Sequence, residues 1–321
     1  MDAPRYGNGK RLIMDSPYTL SVLVTAHNCE KFITETLNSL KNACTGVEEQ
    51  IEIVLVNDSS SDNTSEMLHA FAASCSHVKI VDVMFRNIGK VRNFAVSQAS
   101  GQYITMLDGD DQLLQNSFSD IVHFLQVEQP DILLTPLNEV YAGKSTPQQW
   151  QGLKTTALTQ HQVIEKFLIH REIQAHFIGQ YIKKSLFADH HFPDFTCYED
   201  AYLFPSILKA SHKIFFAAQG PYLYFKRGQS LSSALDAHKI SMLIKATQQM
   251  DAVLGERYRN LLSCHWINLA HKFYPLISDE HEQGVVKKAI DQIPAVSFMA
   301  DVKVRFSLKK KFLKMKLRGF Q

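Results

Sequence analysis

An alternation of short apolar strands with amphipathic helical segments constrains the fold of this 321-residue chain most strongly. Three apolar segments, Leu20–Val24, Ile51–Val56 and Val78–Val83, are each followed by a segment with helical periodicity, and a fourth strand leads into Met106–Asp111. Strands separated by helices usually pair in parallel through right-handed crossovers. We therefore predict an α/β fold with a doubly wound, mostly parallel sheet.

The fourth predicted strand ends in three carboxylates, Asp108, Asp110 and Asp111. Like charges repel, and burying each of them unpaired costs on the order of several kcal/mol. Because ligands bind at the carboxyl ends of strands in open α/β sheets, we expect a hard divalent cation here that bridges to a ligand's phosphates. The alternative is a polar loop in which Asp111 or Asn116 caps the next helix.

Polar residues also follow two other predicted strands. Thr25 and His27 follow the first strand and Asp58 follows the second, so all of them should line the same crevice as Asp108. Each alone is equally compatible with a solvated loop, and Asn28 is predicted to cap the following helix. Neither a GxGxxG motif nor a P-loop is present, which disfavours a dinucleotide-binding fold or a P-loop ATPase.

Charge and cysteine content narrow the class of protein. The net charge is +2, but residues 302–320 carry eight Lys or Arg and no acid. The basic surface is thus concentrated in the tail, which disfavours a nucleic-acid partner. Five scattered cysteines without a CxxC pair suggest free thiols in a reducing cytosol. The absence of a long apolar run or a leader-like N-terminus predicts a cytoplasmic protein.

Four motifs give the chain a family resemblance. They are Val22–Asn28, Val56–Thr64 (similar to VNDGSTDNT), Asn87-Ile88-Gly89 with Arg92-Asn93, and Leu107–Asp111, a DXD motif. In order and spacing they resemble the inverting family 2 glycosyltransferases, which have the GT-A fold, although His27 stands where the family usually has Tyr. Later segments are similar to bacterial members that build capsule, lipopolysaccharide or other surface polysaccharides.

The resemblance implies a UDP-sugar donor and a glycan or lipid-linked glycan acceptor. It implies that Asp58 accepts a hydrogen bond from the uracil imide, beside Thr25 and His27. Other donor-binding residues would be Arg92, Asp108 and Arg227, with Arg227 closing on the diphosphate.

The resemblance also implies a metal site and a base. Asp110, with Asp108 and Asp111, would hold Mn²⁺ or Mg²⁺, which would neutralise the leaving diphosphate. Asp200, or its neighbour Glu199, would be the general base, and direct displacement would invert the anomeric centre. The alternative for Glu199 and Asp200 is stabilisation of the helix that they open.

The predicted organisation has four parts. They are an N-terminal extension (1–17), a nucleotide-sugar-binding half (18–136), an acceptor-binding half (137–235) and a helical C-terminal region (236–321). Within the acceptor half, Asn138–Thr156 is predicted to be a surface loop or short hairpin. In the C-terminal region helices are expected at about 236–254, 256–277 and 282–291, and these helices could mediate homo-oligomer formation.

The basic tail is predicted to form an amphipathic helix that contacts the inner face of the cytoplasmic membrane. On a helical wheel, one side carries Lys303, Lys310, Lys311, Lys314 and Arg318, and another carries Val304, Leu308, Phe312 and Met315. Such helices lie at anionic lipid surfaces. The alternative is a solvated helix or a disordered tail.

Two other functions stay open from the sequence. A nucleotidyl- or phosphosugar transferase would use the same acidic edge, but the expected Gly-rich, Lys-bearing phosphate loop near the N-terminus is missing. A non-catalytic scaffold that binds a UDP-sugar or a glycan would have a decayed site, whereas Asp58, Arg92, Asp108, Asp110 and Asp200 are all present.

Overall fold

The first part of the chain forms four parallel strands joined by helices. The computed structural model describes residues 16–141, 149–170, 172–227 and 236–319. Its first elements are β1 Leu20–Ala26, α1 Ile33–Ala43, β2 Ile51–Asp58, α2 Thr64–Ser74, β3 Val78–Val83, α3 Ile88–Gln98 and β4 Tyr103–Asp108. These strands pair in parallel in the order β3-β2-β1-β4. Every residue of β2 is buried, as is typical of a strand covered by helices on both faces.

The second part extends this sheet and adds a smaller one. Its elements are β5 Gln112–Leu113, α4 Ser117–Glu128, β6 Ile132–Leu134, β7 Asn138–Tyr141, β8 Thr155–Leu158, α5 Gln160–Leu168, β9 Tyr181–Lys183, α6 Glu199–Ala210, β10 Ile214–Ala217 and β11 Tyr222–Lys226. The large sheet has the order β3-β2-β1-β4-β9-β6-β10-β8, with β9 antiparallel to both neighbours. The small sheet is β5-β11-β7. The predicted α/β class with a mostly parallel sheet is confirmed.

The prediction of a surface loop or short hairpin for Asn138–Thr156 holds for residues 149–154, which form a loop, but it is wrong for the two ends, which are strands that do not pair with each other. The two strands that include its ends, β7 and β8, lie in different sheets: β7 pairs in parallel with β11, and β8 pairs antiparallel with β10. Residues 142–148 lie outside the described residues. Both strands are short and half exposed, so their sequences lack the apolar alternation that would have indicated them.

The first helix begins later than its sequence suggests. Asn28 was predicted to cap it, but α1 begins at Ile33, and Asn28 has a positive φ of 50°. The Asn28 side-chain oxygen instead accepts a hydrogen bond from the backbone N–H of Ser61 at 2.7 Å. Asn28 therefore joins the loops that follow β1 and β2, at the edge where the polar residues converge.

From Ala237 onward the described chain is helical, with a core of its own. The helices are α7 Ala237–Leu254, α8 Arg259–Phe273, α9 Glu280–Asp291, α10 Ala295–Ala300 and α11 Phe306–Arg318. Many of their buried side chains, including Trp266, Ile290 and Phe298, form a cluster separate from the core of the sheet, whereas Leu254 and Leu261 belong to the core of the sheet. Side-chain oxygens cap α7 and α9, since Asp236 accepts from the N–H of Lys239 and Asp279 from that of Glu282, both at 2.8 Å.

The tail packs differently from the prediction. Its predicted lipid-facing residues, Val304, Leu308, Phe312 and Met315, are all buried in the core of the helical region. The Phe312 ring lies 5.2 Å from that of Phe298, in an edge-on contact. That apolar side is therefore not available to lipid. Among the described helices, none is long and apolar enough to cross a bilayer.

Candidate active site

Parallel pairing brings the polar strand ends together at one edge of the sheet. Thr25 on β1 lies opposite Asp108 on β4, and its hydroxyl is 3.4 Å from an Asp108 carboxylate oxygen. On the other side of β1, Ala26 lies opposite Asn57, so His27 and Asp58 leave their strands side by side. The His27 Nδ1 atom lies 2.5 Å from the carbonyl oxygen of Asp58. The structure thus gathers Thr25, His27, Asp58 and Asp108.

The Asp58 carboxylate is nearly buried and is held by backbone groups. Its Oδ1 atom accepts hydrogen bonds from the N–H groups of Phe85 at 2.8 Å and Arg86 at 3.0 Å, both just after β3. Among the described residues, none donates to its Oδ2 atom. One oxygen is therefore used to orient the carboxylate, and the other remains for the donor of a ligand.

Arg92 lies at the centre of a cluster of carboxylates. Its side chain is only 6% exposed, and its Nη1 atom contacts Glu199 Oε1 at 2.7 Å and forms an ion pair with Asp200. Its Nη2 atom lies 3.7 Å from Asp108 Oδ1. A single guanidinium thus joins the end of β4 to the start of α6, two segments about ninety residues apart in the chain.

The close approach of α3 to the loop before α6 explains the glycine of the Asn87-Ile88-Gly89 motif. A Cβ atom at Gly89 would lie 1.9 Å from the carbonyl oxygen of Pro193. The Gly89 N–H donates to the carbonyl of Phe195 at 3.2 Å. Only glycine allows this contact, which fixes the loop that leads to Glu199 and Asp200.

Three carboxylates around one cation leave an excess of negative charge, and the pKa values reflect it. Burial raises the pKa of Asp200 well above its ordinary range, Arg92 opposes this, and Glu199 and Asp108 add to it. Burial by itself would lower the pKa of Arg92, but the three carboxylates together raise it above its ordinary value. Arg92 therefore remains charged, while Asp200 is a stronger base than an exposed carboxylate.

A second cation, Arg227, lies against the other two acids of the DXD motif. Its Nη1 atom is 2.9 Å from Asp110 Oδ2 and 3.9 Å from Asp111 Oδ1. Its guanidinium carbon lies 4.0 Å from the centre of the Phe32 ring, close enough for a cation–π contact. Burial and Asp108 raise the pKa of Asp110, whereas Arg227 lowers it.

Asp111 is buried and fully bonded, which excludes its alternative role as a helix cap. Its Oδ1 atom accepts from the N–H of Phe225, and its Oδ2 atom accepts from the hydroxyl of Tyr222, both at 2.8 Å. Burial raises the pKa of Asp111 to about 7, against the lowering effect of these two bonds. Asn116 does occupy the N-cap position of α4, although its side chain makes no capping hydrogen bond.

Tyr222 is a site residue that the sequence analysis missed. Its hydroxyl donates to Asp111 and accepts from the N–H of Asp108 at 3.2 Å, so one side chain of β11 holds both ends of the acidic turn. The strand around it was predicted from its aromatic and apolar content. Nothing in that content distinguished Tyr222 from its neighbour Tyr224.

The carboxylates at this edge suit a metal that is shared with a ligand. In the described part of the chain, no three His, Cys, Asp or Glu side chains converge to hold a metal alone. Asp108 and Asp110 are, however, 33% and 43% exposed and supply hard oxygen ligands. Two carboxylates together with phosphate oxygens are a common ligand set for Mg²⁺. The site therefore fits a divalent cation that binds with a diphosphate.

The sheet order, the acidic turn after β4 and the helix that begins at Glu199 define the class of the protein as a GT-A-type α/β protein. Comparison with known families then gives its family. Residues 21–184, about half of the chain, match the family described as glycosyl transferase family 2. The chain belongs to this family, which confirms the resemblance seen in its motifs.

Relatives of this chain include a protein named for N-acetylglucosamine transfer and one named for teichoic acid biosynthesis. This chain is 32% identical over 129 residues to the poly(ribitol-phosphate) beta-N-acetylglucosaminyltransferase TarS of Staphylococcus aureus. The matched residues make up 40% of this chain and 22% of TarS. The chain is 28% identical over 226 residues to the minor teichoic acid biosynthesis protein GgaB of Bacillus subtilis, which covers 69% of this chain and 24% of GgaB. The chain thus spans about a quarter of the length of these relatives.

The fold is also similar to a solved structure. Crystalline S. aureus TarS residues 1–349, in complex with UDP-GlcNAc, matches with a TM-score of 0.68 at 20% sequence identity. The match covers 94% of this chain and 88% of the TarS fragment. It therefore includes both the sheet and the helical C-terminal region, and it supports the GT-A fold.

Proposed function

We propose that this protein is an inverting glycosyltransferase that moves a sugar from a UDP-sugar to a hydroxyl of a bacterial surface glycan or lipid-linked glycan. One observation carries the proposal: the buried guanidinium of Arg92 contacts the donor-side carboxylate Asp108 through Nη2 and the candidate base Asp200 through Nη1. TarS is named for N-acetylglucosamine transfer to poly(ribitol phosphate) and was crystallised with UDP-GlcNAc. UDP-GlcNAc is therefore the first donor to test.

In this proposal the uridine binds beside Asp58. The free Oδ2 atom of Asp58 accepts the hydrogen bond of the uracil imide, because a carboxylate offers only acceptors. Its Oδ1 atom is already held by two backbone N–H groups, so the carboxylate does not reorient on binding. Thr25 and His27 lie at the adjacent strand end and contact the base.

The diphosphate binds at the acidic turn, where Asp108 and Asp110 would hold Mn²⁺ or Mg²⁺. When bound, the cation would supply Lewis-acid stabilisation of the charge that develops on the leaving UDP. Arg227 exchanges its contact with Asp110 for one with the diphosphate, since its guanidinium suits phosphate geometry. Asp111 acts as a positioning residue, because both of its oxygens are already bonded to β11.

Asp200 is the proposed general base, and Glu199 is its neighbour in the Arg92 cluster. The Asp200 side chain is 18% exposed, whereas that of Glu199 is 8% exposed, so Asp200 is the more accessible to an acceptor. Asp200 takes the proton of the acceptor hydroxyl, and the oxygen of that hydroxyl attacks the anomeric carbon. The bond to UDP breaks on the opposite face, and an α-linked donor yields a β-linked product. Arg92 acts by orienting Asp200.

The first experiment measures UDP released from UDP-GlcNAc and a panel of other UDP-sugars, with Mn²⁺, with Mg²⁺ and with EDTA. We expect slow release of UDP from one donor, and we expect EDTA to abolish this release. Asp110→Asn and Asp200→Asn should reduce release at least a hundredfold, of the order expected for loss of a metal ligand or a general base. Asp189→Asn makes the same chemical change at an exposed position and should be fully active.

Two results would oppose the proposal. Release of pyrophosphate from UTP and a sugar phosphate, without UDP release, would indicate a nucleotidyltransferase. Metal-linked UDP binding in a calorimeter, combined with no turnover on any donor or glycan acceptor, would indicate a binding scaffold.

A further inference from the structure

The last described helix, α11, has two apolar sides, and only one of them is used by the fold. Leu308, Phe312 and Met315 point into the core of the helical region. Phe306, Leu313 and Leu317 are 80%, 45% and 83% exposed. With 3.6 residues per turn, positions i, i+7 and i+11 align along one line of a helix. The second set therefore forms an apolar stripe on the side of α11 that faces away from the core.

Lysines flank this exposed stripe on both sides. At 100° per residue, Lys309 and Lys316 lie on one side of it, and Lys310 and Lys314 lie on the other. Lys316 pairs with Asp291, at 2.9 Å. Within the described part of the chain, no ion pair involves Lys309, Lys310 or Lys314. No acid occurs between residues 302 and 320, so the charge of this surface is uncompensated along the segment.

Contacts on the buried side of α11 fix the orientation of the helix. Phe312 packs against Phe298, and the ammonium of Lys311 donates to the side-chain oxygen of Asn268 on α8 at 3.1 Å. The arrangement of stripe and lysines is thus set by the packing of α11 on the protein. Substitutions on the exposed side should leave the fold intact, because its side chains make few contacts with the core.

We propose that the outer face of α11, defined by Phe306, Leu313 and Leu317 with Lys309, Lys310 and Lys314, docks on an anionic lipid bilayer. The apolar side chains enter the headgroup region, and the lysines contact lipid phosphates. This is the opposite side of the helix from the one that the sequence pattern indicated. The proposal is independent of the transfer reaction proposed above.

The chemistry of the face favours lipid over other occupants. A soluble polyanion would be bound by the lysines but would leave the apolar stripe in water. A second copy of the chain, packed through a two-fold axis, would bring the two sets of lysines together, and like charges would repel. An anionic bilayer satisfies both the stripe and the lysines.

The test is flotation of the full chain with phosphatidylcholine vesicles, with and without phosphatidylglycerol. We expect binding only to the anionic vesicles. Lys309→Gln/Lys310→Gln/Lys314→Gln should weaken binding by up to about a hundredfold, at roughly fivefold for each lysine near a charged surface. The same charge change at three other exposed lysines, Lys41→Gln/Lys245→Gln/Lys287→Gln, should have little effect.

The apolar stripe is tested separately. Phe306→Ser/Leu313→Ser/Leu317→Ser should weaken binding at least tenfold, while Val127→Ser/Leu276→Ser, at exposed apolar positions elsewhere, should not. The proposal would be overturned if the wild-type protein did not bind anionic vesicles. So would tight binding of soluble polyphosphate that survives the serine changes, which would indicate a polyanion site. If light scattering shows a dimer and the serine substitutions dissociate it, the face binds a second copy of the chain instead.

Discussion

Tyr222→Phe isolates the contribution of one hydroxyl to the acidic turn. The substitution removes the bond to Asp111 at 2.8 Å and the weaker one from the N–H of Asp108 at 3.2 Å, and it leaves the ring in place. Tyr222 is completely buried, so water does not replace the hydroxyl. Asp111 keeps only the N–H of Phe225 as a donor. The turn that carries Asp108 and Asp110 thus loses two hydrogen bonds to β11.

The expected cost follows from the charge of the acceptor. A hydrogen bond to a charged group contributes about 1.5–3 kcal/mol, whereas a neutral one contributes about 0.5–1.5 kcal/mol. Since the pKa of Asp111 is raised to about 7, the measurement belongs at pH 8.5, where the carboxylate is ionised. We expect the free energy of unfolding to fall by about 2 kcal/mol. Turnover of the UDP-sugar should fall at least tenfold, because Asp108 and Asp110 are no longer held in place.

The assays are urea unfolding and UDP release, with Tyr103→Phe as the matched control. The Tyr103 hydroxyl is also buried, but it donates to a neutral acceptor, the carbonyl of Pro130, at 2.9 Å. Tyr103→Phe should lower stability by about 1 kcal/mol and leave turnover unchanged. If Tyr222→Phe is as stable as wild type, Asp111 does not depend on this bond. If it is less stable but equally active, Tyr222 does not position the acidic turn.

Three other predictions follow from the same structure. The raised pKa of Asp200 predicts that kcat/KM increases with pH well above the ordinary carboxylate range of about 4, since the proposed base acts only when deprotonated; a value of kcat/KM that is constant from pH 5 to 9 would contradict this. Burial lowers the pKa of His265 from 6.5 to about 4, so the unfolded chain binds the proton more readily than the folded chain. The free energy of unfolding should therefore fall by up to about 3 kcal/mol as the pH falls from 6.5 to 4. Urea unfolding of His265→Gln should depend less on pH over that range, and an identical dependence would refute the lowered pKa of His265. Gly89→Ala should lower the free energy of urea unfolding by about 1–3 kcal/mol and impair turnover, because its methyl group collides with Pro193. Gly284→Ala, in open space on α9, should be neutral or slightly stabilising. Equal stability of the two variants would exclude the collision.

Much of the sheet could be predicted because its central strands β1, β2 and β4 are buried on both faces and separated by helices. The strands at 51–58 and 103–108 stand out as largely apolar runs, and their ends place Asp58 and Asp108 at the same edge. β7 and β8 were missed because short strands at the edge of a sheet are specified by their pairing partners. Asn28 was assigned to a cap because its residue type suits one, but the neighbouring loop provided a different partner.

The sequence by itself determined the alternation of strands and helices, the acidic turn after β4 and the basic character of the tail, because each is expressed in residues close together in the chain. Only the tertiary structure decided that Arg92 meets Asp200, that Tyr222 meets Asp111, and which side of α11 is buried. These contacts join residues far apart in sequence, or choose between two apolar sides of one helix. Local periodicity carries no information about either, because packing partners are selected only when the whole chain folds.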